Sequence, residues 1–134
     1  MTTVDRLYAD ASALAKLFVR EPESAALAGA IPAESTVVTS AIARIEITRV
    51  LRISSLEDDV EQSTEDVLAG CVLVDVGDEI IRSAARLTSF GLKTLGSIHL
   101  ATALSVGPDA MLVYDRLLAR EAERAGLAIL SPGA

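Results

Sequence analysis

Three carboxylates in this chain have mostly apolar neighbours. Asp10 follows the run "RLYA" in "RLYADASALAKL", Asp115 follows "AMLVY" in "AMLVYDRLLAREA", and Glu46 lies inside the amphipathic stretch "TSAIARIEITRVLRIS". A carboxylate taken out of water without a partner is strongly destabilising or gives up its charge. Hard oxygen ligands unaccompanied by His or Cys select Mg²⁺, with Mn²⁺ as a substitute, over zinc. The chemistry of such a cluster is to orient and deprotonate a water for in-line attack on phosphorus, and to stabilise the leaving oxygen. Taken singly, Asp10 and Asp115 also suit helix N-caps, since each precedes a helical pattern.

Few other side chains compete for that role. Cys71 is the only cysteine and His99 the only histidine, which excludes a disulfide framework or a Cys/His zinc site within one chain. Ser–His–Asp catalysis would have to use His99, which lies in the apolar segment "LKTLGSIHLATAL" and reads better as a hydrogen-bonded residue of a buried helix. Cys71 opens "CVLVDV" and reads as a small core residue.

The elements that must position these groups alternate along the chain. Runs at 6–9, 36–39, 71–76, 110–114 and 127–130 read as strands, several of them nearly continuous in apolar residues, as strands covered on both faces are. Helical patterns fill 12–20, 22–31, 40–53, 56–69, 78–90, 97–105 and 116–125. Pro22 suits a helix first turn, and Gly70 and Gly126 suit the position after a helix end. The expected fold is a single α/β domain over residues 1–134. It has three α/β/α layers around a central parallel sheet of about five strands, joined by right-handed crossovers. Ligands of such sheets sit outside the carboxyl ends of the strands, where strand order reverses; Asp10 and Asp115 lie at such ends.

Glu46 is positioned differently. Ile42, Glu46, Val50 and Ile53 form one helical stripe, so Glu46 interrupts the face expected to pack inward, while Arg44, Thr48 and Arg52 take the other side. Its partner is either an arginine, Arg49, or a metal ion held jointly with Asp10 and Asp115. A further oddity lies at Gly96 and Ser97, where a glycine opens a buried helix in place of a capping oxygen.

The chain has 134 residues, 51% of them apolar, with a mean hydropathy of +0.42. Surplus apolar surface on a soluble protein points to an oligomer or an obligate partner. No run approaches the ~18 apolar residues of a membrane span, no signal peptide opens the chain, and a cytoplasmic location is expected. The net charge of −7 argues against nucleic acid at first sight, yet nine acids and no Lys or Arg fall within residues 53–81, leaving ten acids against twelve bases elsewhere. The acidic block reads as one solvated helix face, and beyond it a phosphate-tolerant surface is allowed.

In order and spacing, "LYADASALAKL", "ARIEITRVLR", "LKTLGSIHLATAL" and "YDRLLAREAERAGL" resemble the four motifs of PIN-domain proteins and look most like VapC toxins of bacterial toxin–antitoxin pairs. The resemblance implies a Mg²⁺-dependent endoribonuclease that cuts structured RNA such as tRNA or rRNA. It also implies a homodimer held silent by a VapB-like antitoxin, whose C-terminal segment fills the active-site groove. It assigns the first acidic position to Asp10, the second to Glu46 and the last to Asp115, with Ser12 as a small hydroxyl residue near the metal. The third acidic position falls on Gly96: the family reads Leu-Asp-Ala/Ser-Ile-His-Leu-Ala where this chain reads Leu-Gly-Ser-Ile-His-Leu-Ala. A lone substitution in an intact motif implies weak metal binding and impaired cleavage.

Two rivals stand beside that expectation. A non-catalytic PIN-like module binding RNA or protein makes the missing acid natural. A receiver-like phosphoacceptor domain needs a paired acid early and a lysine at a late strand end, and this chain offers Asp5 and Ser131–Pro132 instead. For RNA, Arg44, Arg49 and Arg52 on the Glu46 helix and Arg116 beside Asp115 are the candidate phosphate contacts. The aromatic residues are only Tyr8, Phe18, Phe90 and Tyr114, so shape and backbone recognition is expected over base stacking.

Overall fold

The computed structural model describes residues 4–54, 59–87 and 91–134. Its elements run β1 (Arg6–Ala9), α1 (Ala11–Ala15), α2 (Ser24–Ala30), β2 (Thr36–Ser40), α3 (Ala43–Ser54), α4 (Val60–Leu68), β3 (Cys71–Val74), α5 (Asp78–Arg86), α6 (Thr94–Val106), β4 (Ala110–Leu112), α7 (Arg116–Arg124) and β5 (Ile129–Leu130). The strands form one parallel sheet in the order β3-β2-β1-β4-β5. Leu7 pairs with Val37 on one side and Ala110 on the other, so β1 is the central strand.

Alternation along the strands explains the layers, because successive side chains point to opposite faces. Leu7, Ala9, Ala110 and Leu112 join one core with Leu14, Leu27, Ile47 and Leu68 from α1 to α4. Tyr8, Val38, Met111 and Val113 join the other with Leu100, Leu118 and Ala122 from α6 and α7. Both faces are covered, which is why the strands read as unbroken apolar runs.

Several boundaries differ from expectation. The helix expected over 12–20 ends at Ala15, where Lys16, Leu17 and Phe18 donate to carbonyls three residues back and tighten the chain into a turn. Pro22 precedes the α2 cap residue Glu23 instead of entering the helix. Gly126 does follow α7, at φ 101°, and with Leu127 it closes the helix end by bonds to Glu123 and Ala122. Gly70 has no left-handed backbone, whereas Gly107, the cap of α6 at φ 65°, does. The expected helical residues 56–58 and 88–90 lie outside the described residues. The acidic block is not one helix face: Glu61, Glu65 and Asp66 are exposed on α4, whereas Asp75 follows β3 and Asp78 and Glu79 open α5.

Two clamps hold the ends of the sheet. Asp109 Oδ2 accepts the backbone N–H groups of Asp5 and Arg6 at 2.8 and 2.9 Å, tying the start of β1 to the start of β4. Lys16 pairs with Glu21 and Glu23 and lies 4.7 Å from the centre of the Tyr114 ring, fastening the α1–α2 turn to the chain beyond β4. Among the described residues, no helix is long and apolar enough to cross a membrane.

Candidate functional site

Strand order reverses beside β1: the chain adds β2 and β3 on one side, then β4 and β5 on the other. A crevice therefore opens beyond the carboxyl ends of β1 and β4. Asp10 lies directly after β1, and its N–H donates to Leu112 O at the end of β4. Asp115 caps α7, the helix that follows β4. Asp10, Ser12, Glu46, Gly96 and Asp115 all line one hollow of about 810 Å³, together with Lys93 and His99.

Asp10 is the buried member, 5% exposed. Its Oδ1 accepts the Ala13 N–H at 3.0 Å, capping α1, while Ser12 Oγ donates to Oδ1 and Oδ2 at 2.9 and 3.0 Å. Burial pushes the Asp10 carboxyl above its usual range, and Glu46 adds to this; the Ala13 N–H, His99 and the Ser12 hydroxyl oppose it. Asp115 is exposed, and its Oδ1 accepts the Leu118 N–H at 2.8 Å. Both aspartates are thus caps that also face the hollow.

Glu46 corrects the expected helix face. The inward stripe of α3 is Ala43, Ile47 and Leu51, all 5% exposed or less, while Ile53 is 87% exposed. Glu46 therefore sits on the flank of the helix. Its partner is His99 rather than Arg49, with His99 Nε2 2.6 Å from Glu46 Oε1. The other ring nitrogen, Nδ1, lies 2.6 Å from the Tyr8 hydroxyl. Burial, with the charge of Asp10 next, raises the Tyr8 phenol far above its usual range, so it keeps its proton. A carboxylate only accepts, so Nε2–H donates to Glu46, while Nδ1 and the Tyr8 hydroxyl share the second contact. The Thr39 hydroxyl lies beside this phenol, fully buried and, among the described residues, without a partner in hydrogen-bond geometry.

His99 is the hydrogen-bonded residue of a buried helix expected from sequence, but sequence reasoning missed its partners, Tyr8 and Glu46. The available signal was spacing: Tyr8 shares a strand side with Asp10, and His99 lies three residues beyond Gly96, on the same helix face. Gly96 itself is the third residue of α6, whose cap is Lys93, so it does not occupy the capping position. A Cβ there meets only Leu92 Cδ1 at 2.9 Å, the movable end of a side chain.

The candidate RNA contacts are dispersed. Arg44 is held by Glu65, and Arg52 lies 4.0 Å from Glu61. With Arg49 they line a separate groove of about 680 Å³ between α3 and α4. Arg116 is exposed beside Asp115.

The donor set can be tested against a divalent cation. Among the described residues, no three His, Cys, Asp or Glu side chains are grouped closely enough to hold a metal ion. Mg²⁺ asks for less, commonly one or two carboxylates completed by water and substrate phosphates. Asp10, with its desolvated carboxylate beside Glu46 and the Ser12 hydroxyl, fits that looser requirement in donor chemistry and charge.

The PIN domain family profile matches residues 7–130. The chain is 36% identical to Ribonuclease VapC46 of Mycobacterium tuberculosis over 128 residues, covering 94% of this chain and 97% of the relative. It is also 36% identical to Ribonuclease VapC35 of the same species over 134 residues, covering 95% and 97%. Among solved structures, the M. tuberculosis toxin VapC20, described as cleaving the sarcin–ricin loop, superposes with a TM-score of 0.70 at 14% identity, covering 94% of this chain and 99% of that one. With the motifs, the sheet order and these likenesses in agreement, the chain belongs to the PIN domain family, among its VapC-type ribonucleases.

Proposed function

We propose that this single-domain protein is the endoribonuclease toxin of a VapBC-type pair, dependent on Mg²⁺ or Mn²⁺ and impaired by the glycine at position 96. The observation that carries this reading is the convergence of Asp10, Glu46 and Asp115, distant in sequence, on one hollow at the switch point of the sheet. Asp10 and Glu46 would hold the cation, with Asp115 acting directly or through water. When bound, such a cation supplies Lewis acidity and an activated water for attack on a phosphodiester.

The chain's own residues supply the rest. Ser12 fixes both oxygens of Asp10, His99 fixes Glu46, and Lys93 and Arg116 offer positive charge for flanking phosphates; Arg44, Arg49 and Arg52 form a more distant basic edge. A structured RNA, tRNA or rRNA, is the substrate class. Apolar side chains left in water on α3, Ile45 at 63% and Ile53 at 87% exposed, support a protein partner, either a VapB-like antitoxin or a second copy, in a cytoplasmic setting.

The absent carboxylate at Gly96 and the lack of a three-ligand group among the described residues favour one alternative, a PIN-like module that binds RNA or protein without cutting it. One experiment separates the two. RNA cleavage with Mg²⁺ or Mn²⁺ is measured for this chain and for Gly96→Asp. The nuclease reading expects weak cleavage by the first and at least ~10-fold faster cleavage by the second, about 1.4 kcal/mol of transition-state stabilisation. No cleavage by either leaves the binding module. Equal cleavage by both removes Gly96 from the account.

A further inference from the structure

The His99–Glu46 contact at the hollow is the outer half of a longer arrangement whose buried half has no role so far: three side chains from three different elements, joined end to end. Tyr8 belongs to the central strand β1, His99 to α6 and Glu46 to α3, and the two links are each 2.6 Å. Tyr8 is fully buried, His99 is 2% exposed, and the Glu46 side chain is 23% exposed. The chain of contacts thus runs from the core outward and ends on the one carboxylate that reaches the hollow from α3. The Tyr8 and His99 rings also meet edge to face, at 5.8 Å between centres and 70° between planes, which restricts the imidazole.

We propose that Tyr8 and His99 are positioning residues for Glu46, a fixed phenol–imidazole–carboxylate relay that turns the Glu46 carboxylate toward the hollow. Glutamate has three side-chain torsions to fix before an oxygen can serve as a ligand. The imidazole engages Oε1, restricting those torsions and leaving Oε2 as the oxygen available to a cation. The hydroxyl of Tyr8 in turn sets which ring nitrogen carries the hydrogen. Outer hydrogen bonds of this kind orient metal ligands and are worth about 10- to 100-fold in metal affinity. Here the dependence is sharper, because Gly96 contributes no carboxylate and more of the site rests on Glu46. The inference relies on the nuclease reading for what the carboxylate is aimed at.

His99 is the only histidine, so ¹⁵N-histidine labelling gives a spectrum of this ring alone. The expected spectrum is a single neutral tautomer, protonated at Nε2, whose Nδ1 signal moves in Tyr8→Phe while Nε2 keeps its hydrogen. Mn²⁺ affinity is measured alongside by calorimetry. His99→Ala should bind about 10-fold more weakly or worse. His99→Gln, whose amide N–H still reaches Glu46, should recover most of that loss, and Tyr8→Phe should fall between the two. A mixed or Nδ1-protonated ring overturns the relay, as does undiminished Mn²⁺ binding by His99→Ala. If neither this chain nor Gly96→Asp binds Mn²⁺, the nuclease reading fails first and takes the relay's role with it. Binding by either one, unaffected in His99→Ala, overturns the relay alone.

Discussion

Arg44 grips Glu65 with a forked contact, Nε to Oε1 at 2.7 Å and Nη2 to Oε2 at 3.2 Å, across the groove between α3 and α4. To reach a phosphate it must first leave that carboxylate. Arg44→Ala is therefore expected to change RNA affinity by less than about twofold, whereas Lys93→Ala and Arg116→Ala should each weaken it severalfold and lower the salt slope by about 1. Fluorescence anisotropy across a salt series separates these cases. An equal loss from all three would mean that Glu65 yields Arg44 to RNA.

A second prediction concerns acid. The N–H groups of Arg6 and then Asp5 hold the Asp109 carboxyl below its usual range. A depressed folded-state value means that the stabilisation is complete above the unfolded carboxyl's ordinary value and fades as pH falls through the folded one. Asp109→Ala should lower stability at about pH 7, and the gap to the parent should narrow as pH falls below the ordinary carboxyl range. Urea titrations at several pH values test this, and a gap independent of pH would assign the loss to packing instead of charge.

Cys71 opens β3, a strand at the edge of the sheet, and burial pushes its thiol up. Less thiolate means a slower reaction. Alkylation of the native protein near pH 8 should be at least about tenfold slower than that of the urea-unfolded chain. Comparable rates would show that this edge strand opens readily.

Two of the three isoleucines of α3 should behave oppositely. Ile47 is fully buried and Ile53 is 87% exposed. Ile47→Ala is expected to cost about 2–5 kcal/mol, and Ile53→Ala to stay within about 0.5 kcal/mol. Denaturant midpoints distinguish them. A large loss at Ile53 would restore the stripe expected from sequence.

That contrast also shows where sequence reading reached its limit. The strands could be read because both faces of the sheet are covered, and Asp10 and Asp115 because strand ends are where such sheets bind ligands. The orientation of α3 could not. Ile42–Glu46–Val50–Ile53 and Ala43–Ile47–Leu51 are both helical stripes, and only packing against α1 and α4 chooses the second. The Glu46 partner was missed for a related reason: His99 lies 53 positions away, and nothing local distinguishes a core histidine from one that holds a carboxylate. Gly96 reads as the opener of a helix over 97–105, yet the helix already starts at Thr94.

Tyr8 and Asp10 stand two residues apart, and the backbone stays extended through Asp10, so the strand aims both toward the same side. β1 thus acts as an indexing rail, setting with one count both the foot of the phenol–imidazole chain and, among the described residues, the most deeply buried acid. A frame error of one residue along this rail would misdirect both groups together, and no change elsewhere in the hollow could compensate. Natural variation should therefore tolerate exchange of side chains around the mouth far better than any gain or loss of length between Tyr8 and Asp10.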